Sequence, residues 1–112
     1  MTTTITRTEL KTLLARSHPL TLVDALPQSY YAQQHLPGAV NLVEADVDAQ
    51  AATLLPHKDR TVVTYCSNPA CSNSKAVARR LEALGYTDVR TYPGGVQDWV
   101  GAGLPTETAV AC

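Results

Sequence analysis

Thr61-Val62-Val63-Thr64-Tyr65-Cys66-Ser67-Asn68-Pro69-Ala70-Cys71-Ser72-Asn73-Ser74-Lys75 is the stretch that decides the fold. Its first five residues are β-branched or aromatic and read as a buried strand. Ser, Asn and Pro then break the strand pattern, so the chain leaves the sheet at Cys66. Residues 76–84 follow with Val77, Leu81 and Leu84 on one helical face, and Gly85 stands where a left-handed helix cap belongs. A strand, a polar loop and a helix in that order make half of a βαβ unit, with a thiol at its turning point.

Working outward from this unit gives more of the same alternation. Upstream, Thr6-Arg7-Thr8-Glu9 fits a capping box at the start of a helix that carries Leu10, Leu13 and Leu14 along one face. Leu20-Thr21-Leu22-Val23 reads as a strand that ends in Asp24. Pro27 suits the first turn of a helix over 28–34, and Pro37-Gly38 turns the chain into a short strand over 39–42. Residues 46–55 have helical content, stopped by Pro56. Downstream, 89–92 is a strand, Gly94-Gly95 a tight turn and 96–102 a last short helix. The expected architecture is α/β: a mainly parallel central sheet with helices on both faces, hence three layers. In such sheets ligands sit beyond the carboxyl ends of the strands, which is the edge where Cys66 stands.

The 112 residues, 45% of them hydrophobic, suit one domain over 1–112, with 106–112 expected to be a loosely held tail. Nine basic against ten acidic residues leave a net charge of -1, and the basic residues form no block longer than Arg79-Arg80. No phosphate-tracking surface is indicated, so nucleic acid is not an expected partner. Neither a secretion signal nor the roughly 18 consecutive apolar residues of a membrane helix occurs, so a cytoplasmic protein without membrane contact is expected. Three cysteines do not make a secreted disulfide framework and point to chemistry instead.

The loop Ser67, Asn68, Pro69, Ala70, Cys71, Ser72, Asn73, Ser74 and Lys75 is the candidate active-site loop. Its backbone N–H groups and the positive end of the next helix are expected to favour a Cys66 thiolate, and to cradle a persulfide or an oxyanion. Taken alone, a strand cysteine is most often a small buried hydrophobe.

Leu22-Val23-Asp24, followed by His35-Leu36-Pro37-Gly38-Ala39-Val40-Asn41-Leu42, resembles the first signature of the rhodanese homology domain. Val62-Val63-Thr64-Tyr65-Cys66, Leu84-Gly85-Tyr86, Gly94-Gly95-Val96, Trp99 and Gly103-Leu104-Pro105 resemble its second half, in order and at fitting distances. The resemblance covers nearly the whole chain. It implies a rhodanese-like fold and a sulfurtransferase in which Cys66 takes a sulfane sulfur from thiosulfate, a persulfide or a polysulfide. The Cys66 persulfide then gives that sulfur to a thiophilic acceptor. Donor and acceptor are small molecules or proteins, no metal or organic cofactor takes part, and the protein is expected to be a monomer or weak homodimer.

Two departures from the family pattern stand in the loop. The family's loop is Cys-x4-Arg before a helix opened by Ser. In this chain Cys71 takes the arginine's position, and no Arg or Lys occurs between Cys66 and Lys75. Either Ser72 or Ser74 fits as the helix-opening serine. Dianionic thiosulfate therefore loses a bidentate charge-assisted contact, which favours a protein persulfide or polysulfide as donor. Cys71 is a candidate resolving or protecting thiol.

Asp24 and His35 are expected to give structural support, Asp24 by capping the turn after its strand or pairing with a nearby cation, and His35 by anchoring the Pro37-Gly38 turn by hydrogen bonding. His18 and His57 read as loop residues and Trp99 as core. A zinc site at Cys66 and Cys71 would need two more ligands, from Cys112 and scattered histidines, and a phosphatase would need an arginine in the loop. Neither is expected. The remaining alternative is a non-enzymatic binding or redox-regulatory module that uses the fold without the sulfur chemistry.

Overall fold

A computed structural model describes residues 3–15, 20–68 and 70–108. Pro69 of the candidate loop, His18, Cys112 and the other residues from 109 onward lie outside these.

The chain alternates between strands β1 (Thr3–Thr4), β2 (Leu20–Asp24), β3 (Val40–Asn41), β4 (Thr61–Tyr65) and β5 (Asp88–Tyr92) and helices α1 (Arg7–Ala15), α2 (Gln28–Gln33), α3 (Val47–Leu54), α4 (Asn73–Ala83) and α5 (Gly95–Gly101). The five strands form one sheet in the order β1-β5-β4-β2-β3, and every neighbouring pair is parallel. β4 is central, and all five of its residues are buried.

Alternate side chains of a strand point to opposite faces, and here that splits the core in two. Leu22 and Val63 join Ile5, Leu10, Leu36 and Trp99 in one cluster. Val23 and Val62 join Val47, Ala51, Val77 and Leu81 in the other. The sheet is thus covered by α1, α2 and α5 on one face and by α3 and α4 on the other. This is the three-layer arrangement that the alternating pattern implies.

Local signals act as their chemistry dictates. The Glu9 N–H donates to Thr6 Oγ1 at 3.2 Å and the Thr6 N–H to Glu9 Oε1 at 3.1 Å, which closes the capping box. Gly85, at φ +101°, ends α4: its N–H reaches the Glu82 carbonyl and that of Tyr86 the Leu81 carbonyl.

Several boundaries differ from the sequence-based expectation. α4 begins at Asn73 and not at 76, because the Thr64 hydroxyl donates to the Ser74 carbonyl at 2.9 Å and fixes the helix start against β4. The helix expected over 46–55 is a short 3-10 turn (Glu44–Asp46) leading into α3. β1 was not expected at all. The tail is not loose at its start: Glu107 exchanges two backbone hydrogen bonds of 2.9 Å with His35, and its carboxylate accepts the Gly38 N–H at 2.8 Å. No helix among the described residues is long and apolar enough to cross a membrane.

Candidate functional site

Cys66 leaves the sheet directly after β4, between two anchors. On one side its carbonyl accepts the Val96 N–H at 2.9 Å, and the Ser67 carbonyl accepts the Gln97 N–H at 2.9 Å, so the start of α5 grips the start of the loop. Gly95 makes that grip possible. It sits at φ +65°, and a Cβ built on it would fall 2.2 Å from the Cys66 carbonyl oxygen. The second glycine of Gly94-Gly95 is therefore a close-approach residue as well as a turn residue, a role the sequence reading did not assign. On the other side, Ser74 in the first turn of α4 is held by Thr64, as described above.

Between these anchors the loop folds back on the thiol. Asn68 organises it: its side-chain oxygen accepts the Ala70 N–H at 2.9 Å and its carbonyl accepts the Cys71 N–H at 3.1 Å. Those two N–H groups are thus spent inside the turn and do not face the thiol. The Cys66 thiol donates to the Cys71 carbonyl at 3.3 Å and lies 3.8 Å from the Ser74 hydroxyl. Cys66 is only 3% exposed, while Cys71 is half-buried and packs on the same core cluster. Both are free thiols.

The electrostatic outcome runs against the expectation of a stabilised thiolate. Burial pushes the Cys66 thiol above its ordinary value, and the Cys71 side chain adds to this; the Ser74 N–H and hydroxyl pull the other way and lose. The helix start does supply donors, as expected, but the loop closes over the sulfur and removes the water that would solvate a thiolate.

The two serines that fit the sequence equally well take different places. Ser72 precedes α4 but is exposed and makes no side-chain cap. Ser74 is buried and faces the thiol. Asn73 is exposed at the helix start, with its amide 3.4 Å from the Ala25 carbonyl, and Lys75 is exposed beyond it. Asn73 also borders a cavity of about 490 Å³ at the carboxyl edge of the sheet, walled by Ala25, Pro27, Asn41, Glu44 and Asp46. Cys66 does not line it.

Asp24 lies at the end of β2, in register with Tyr65 of β4. It is fully buried and accepts the Leu26 N–H at 2.9 Å, so it caps the turn after its strand. Its other oxygen, Oδ2, has no hydrogen-bond partner, and burial pushes the carboxyl up against the opposing pull of the Leu26 N–H, the Tyr65 hydroxyl and His35. His35 reaches the Pro37-Gly38 turn only through Glu107, whose Oε1 accepts the Gly38 N–H and lies 3.8 Å from His35 Nε2; the direct hold of His35 is on another element. Its Nδ1 donates to the Tyr31 carbonyl at 2.8 Å and its ring stacks on Tyr31 at 3.9 Å, tying it to α2, while Glu107 holds the Gly38 turn. Trp99 is core, with its indole N–H on the Pro105 carbonyl at 2.7 Å. Among the described residues no group of three or more His, Cys, Asp or Glu is placed to hold a metal ion.

Fold and site together define a parallel α/β domain that buries a cysteine at the start of the strand-to-helix loop of its central strand. Residues 6–102 match the model of the rhodanese-like domain, and the chain belongs to that family. It is 34% identical to the thiosulfate sulfurtransferase PspE of Escherichia coli over 76 residues, which covers 68% of this chain and 70% of that protein. An HTH-type transcriptional regulator of Mycobacterium tuberculosis is 33% identical over 88 residues, 79% of this chain; the chain spans only 38% of that regulator's length. The crystal structure of a thiosulfate sulfurtransferase from Pseudomonas aeruginosa superposes with a TM-score of 0.85 at 26% identity, covering 96% of this chain and 20% of that one. The rhodanese-like match and the likeness to the two thiosulfate sulfurtransferases support a sulfurtransferase-family role.

Proposed function

We propose that the protein is a sulfurtransferase that carries sulfane sulfur as a Cys66 persulfide, and that its donor is a persulfide or polysulfide more readily than thiosulfate. The carrying observation is the seat of the Cys66 sulfur at the end of β4, beside the Ser74 hydroxyl and the start of α4. In the reaction the Cys66 thiolate attacks the sulfane sulfur of the donor. A sulfur–sulfur bond forms at Cys66, the donor's own sulfur–sulfur bond breaks, and the donor leaves as a thiolate, or as sulfite when it is thiosulfate. A nucleophilic acceptor, a small molecule or a protein, then attacks the terminal sulfur and returns Cys66 to its thiolate. The resting thiol gives its hydrogen to the Cys71 carbonyl, and the Ser74 hydroxyl beside it can donate to the thiolate once that hydrogen has left.

The donor preference follows from the missing arginine, which would hold the oxygens of thiosulfate and which a persulfide or polysulfide sulfur does not need. Thiosulfate is a dianion, and the loop offers no cation between Cys66 and Lys75. Intact mass measurement after incubation with thiosulfate, and separately with polysulfide, tests both parts. One sulfur gained on Cys66, faster from polysulfide and lost in Cys66→Ser, is the expected result. Thiosulfate-to-cyanide turnover with ordinary affinity would overturn the donor preference, and no gain from either reagent would overturn the function.

The enclosed, protonated thiol favours a second reading, a regulatory module that uses the fold alone. Iodoacetamide separates the two: a Cys66 left unmodified in the folded protein even at alkaline pH supports the module.

A further inference from the structure

Cys71 is not a passive residue of the loop. The Asn68 turn bends the chain so that the Cys71 carbonyl meets the Cys66 sulfur at 3.3 Å, and the Cys71 side chain packs on the same core cluster as Cys66. Four residues separate the two cysteines, and two hydrogen bonds inside that stretch hold the second over the first. The contact also depends on the chemical state of Cys66. As a thiol, Cys66 donates its hydrogen to the Cys71 carbonyl. As a persulfide, its Sγ carries no hydrogen, so the same contact sets lone pair against lone pair and pushes the 70–72 segment to rearrange.

We propose that Cys71 is the resolving thiol of Cys66, giving the site a second outlet that releases the carried sulfur as hydrosulfide. The step rests on the persulfide reading above. A lone pair of the Cys71 thiolate forms a bond to Cys66 Sγ, the bond from Sγ to the terminal sulfur breaks, and its electron pair leaves with that sulfur as HS⁻. The proton lost by Cys71 ends on the departing sulfur when the persulfide is ionised, and goes to solvent when the persulfide already carries one. Cys71 is oxidised and the terminal sulfur reduced by equal amounts, so the sulfane sulfur is itself the oxidant. The resulting Cys66–Cys71 disulfide is opened by two equivalents of a small-molecule thiol, which is oxidised in turn. When a good acceptor is present the sulfur is transferred; when none is, it is discharged as sulfide and the nucleophile is protected as a disulfide.

The test compares wild type with Cys71→Ser and Cys71→Ala. Each protein receives a short pulse of inorganic polysulfide, is desalted, and is followed by intact mass, peptide mapping and free sulfide without added thiol. In wild type the form that has gained one sulfur on Cys66 should decay into one that has lost two hydrogens, with Cys66 and Cys71 in one cross-linked peptide. One equivalent of sulfide should appear for each sulfur lost. Both variants should hold the sulfur at least about tenfold longer and release no matching sulfide. Equal lifetimes in all three proteins would overturn the resolving role and leave the persulfide reading standing. Sulfur gained by none of them would overturn both.

Discussion

β2 and β4 lie side by side, Asp24 in register with Tyr65, and both strands deliver an ionisable group to the same edge of the sheet. β2 ends in a carboxyl that is fully buried, and β4 is followed by a thiol that is nearly so. Burial is the largest cause acting on each, and it holds both towards the protonated form. Their partners differ. Asp24 is bound to the backbone of its own turn, two residues on, whereas Cys66 is bound to a loop five to eight residues on that is anchored at both ends. The same physical force therefore makes a strut at one strand end and a guarded nucleophile at the other, and the loop's closure decides which.

The largest way to break this contrast is at Gly95. Gly95→Ala would drive a Cβ into the Cys66 carbonyl at a backbone angle that disfavours side chains, so it should cost about 3 kcal/mol in denaturant unfolding and loosen the β4 end alone. An unchanged unfolding midpoint would show that α5 does not grip the loop.

Removing the Ser74 hydroxyl sharpens the same end. Because the Cys66 thiol stands above its ordinary 9.0, its alkylation by iodoacetamide should keep rising with pH beyond that value. The Ser74 hydroxyl lowers the thiol's pKa, so Ser74→Ala should slow alkylation at neutral pH by about fivefold and move the pH profile further up. Peptide mapping keeps Cys71 out of the measurement, and a profile that did not move would remove Ser74 from the site.

At the β2 end the sign of the pH dependence is set by a raised carboxyl. Its favourable contribution is complete below the unfolded value of 3.8 and is lost as pH rises through the higher folded value. Asp24→Asn keeps an oxygen for the Leu26 N–H and abolishes that loss. The variant's stability relative to wild type should thus climb between mildly acidic and neutral pH, ending within about 1 kcal/mol of wild type or above it. Parallel thermal melts across that range check this; a flat difference would mean that Asp24 is not strained by burial.

The smallest effect belongs to Glu107, whose side chain is 55% exposed although it holds the Gly38 N–H. Glu107→Ala should cost about 0.5 kcal/mol and leave Cys66 alkylation unchanged. A change in thiol reactivity would show that the tail communicates with the loop.

Much of the architecture was legible because it rests on local pattern. The buried run Thr61–Tyr65, the Thr6/Glu9 box and Gly85 each carry their signal within a few residues, and each took the expected place. β1 was not legible, since two exposed threonines have no alternation to read and pair only with a strand made much later. The position of Cys66 at the strand end could be read, but its protonation could not. That balance depends on whether loop N–H groups face the sulfur or oxygens of the loop itself, and two of them go to the oxygens of Asn68. The choice between Ser72 and Ser74 likewise turned on which side chain the helix rotates towards the thiol. Glu107 escaped notice because its partner, His35, is distant in sequence.

Thr3 and Thr4 are made well before Arg90 and Thr91, their partners in the sheet, which follow almost ninety positions later. A chain growing at about 5–20 residues per second must therefore keep its first strand waiting several seconds for a neighbour. β2 likewise waits for β4 before it gains its inner partner. An all-parallel order of this kind makes assembly a late, collective event dominated by distant contacts, which slows folding compared with a helical bundle of equal size. Until then Cys66 lacks the sheet and the α5 contact that cover it, so the thiol that the finished domain guards most closely is one that the incomplete fold leaves open to the redox state of its surroundings.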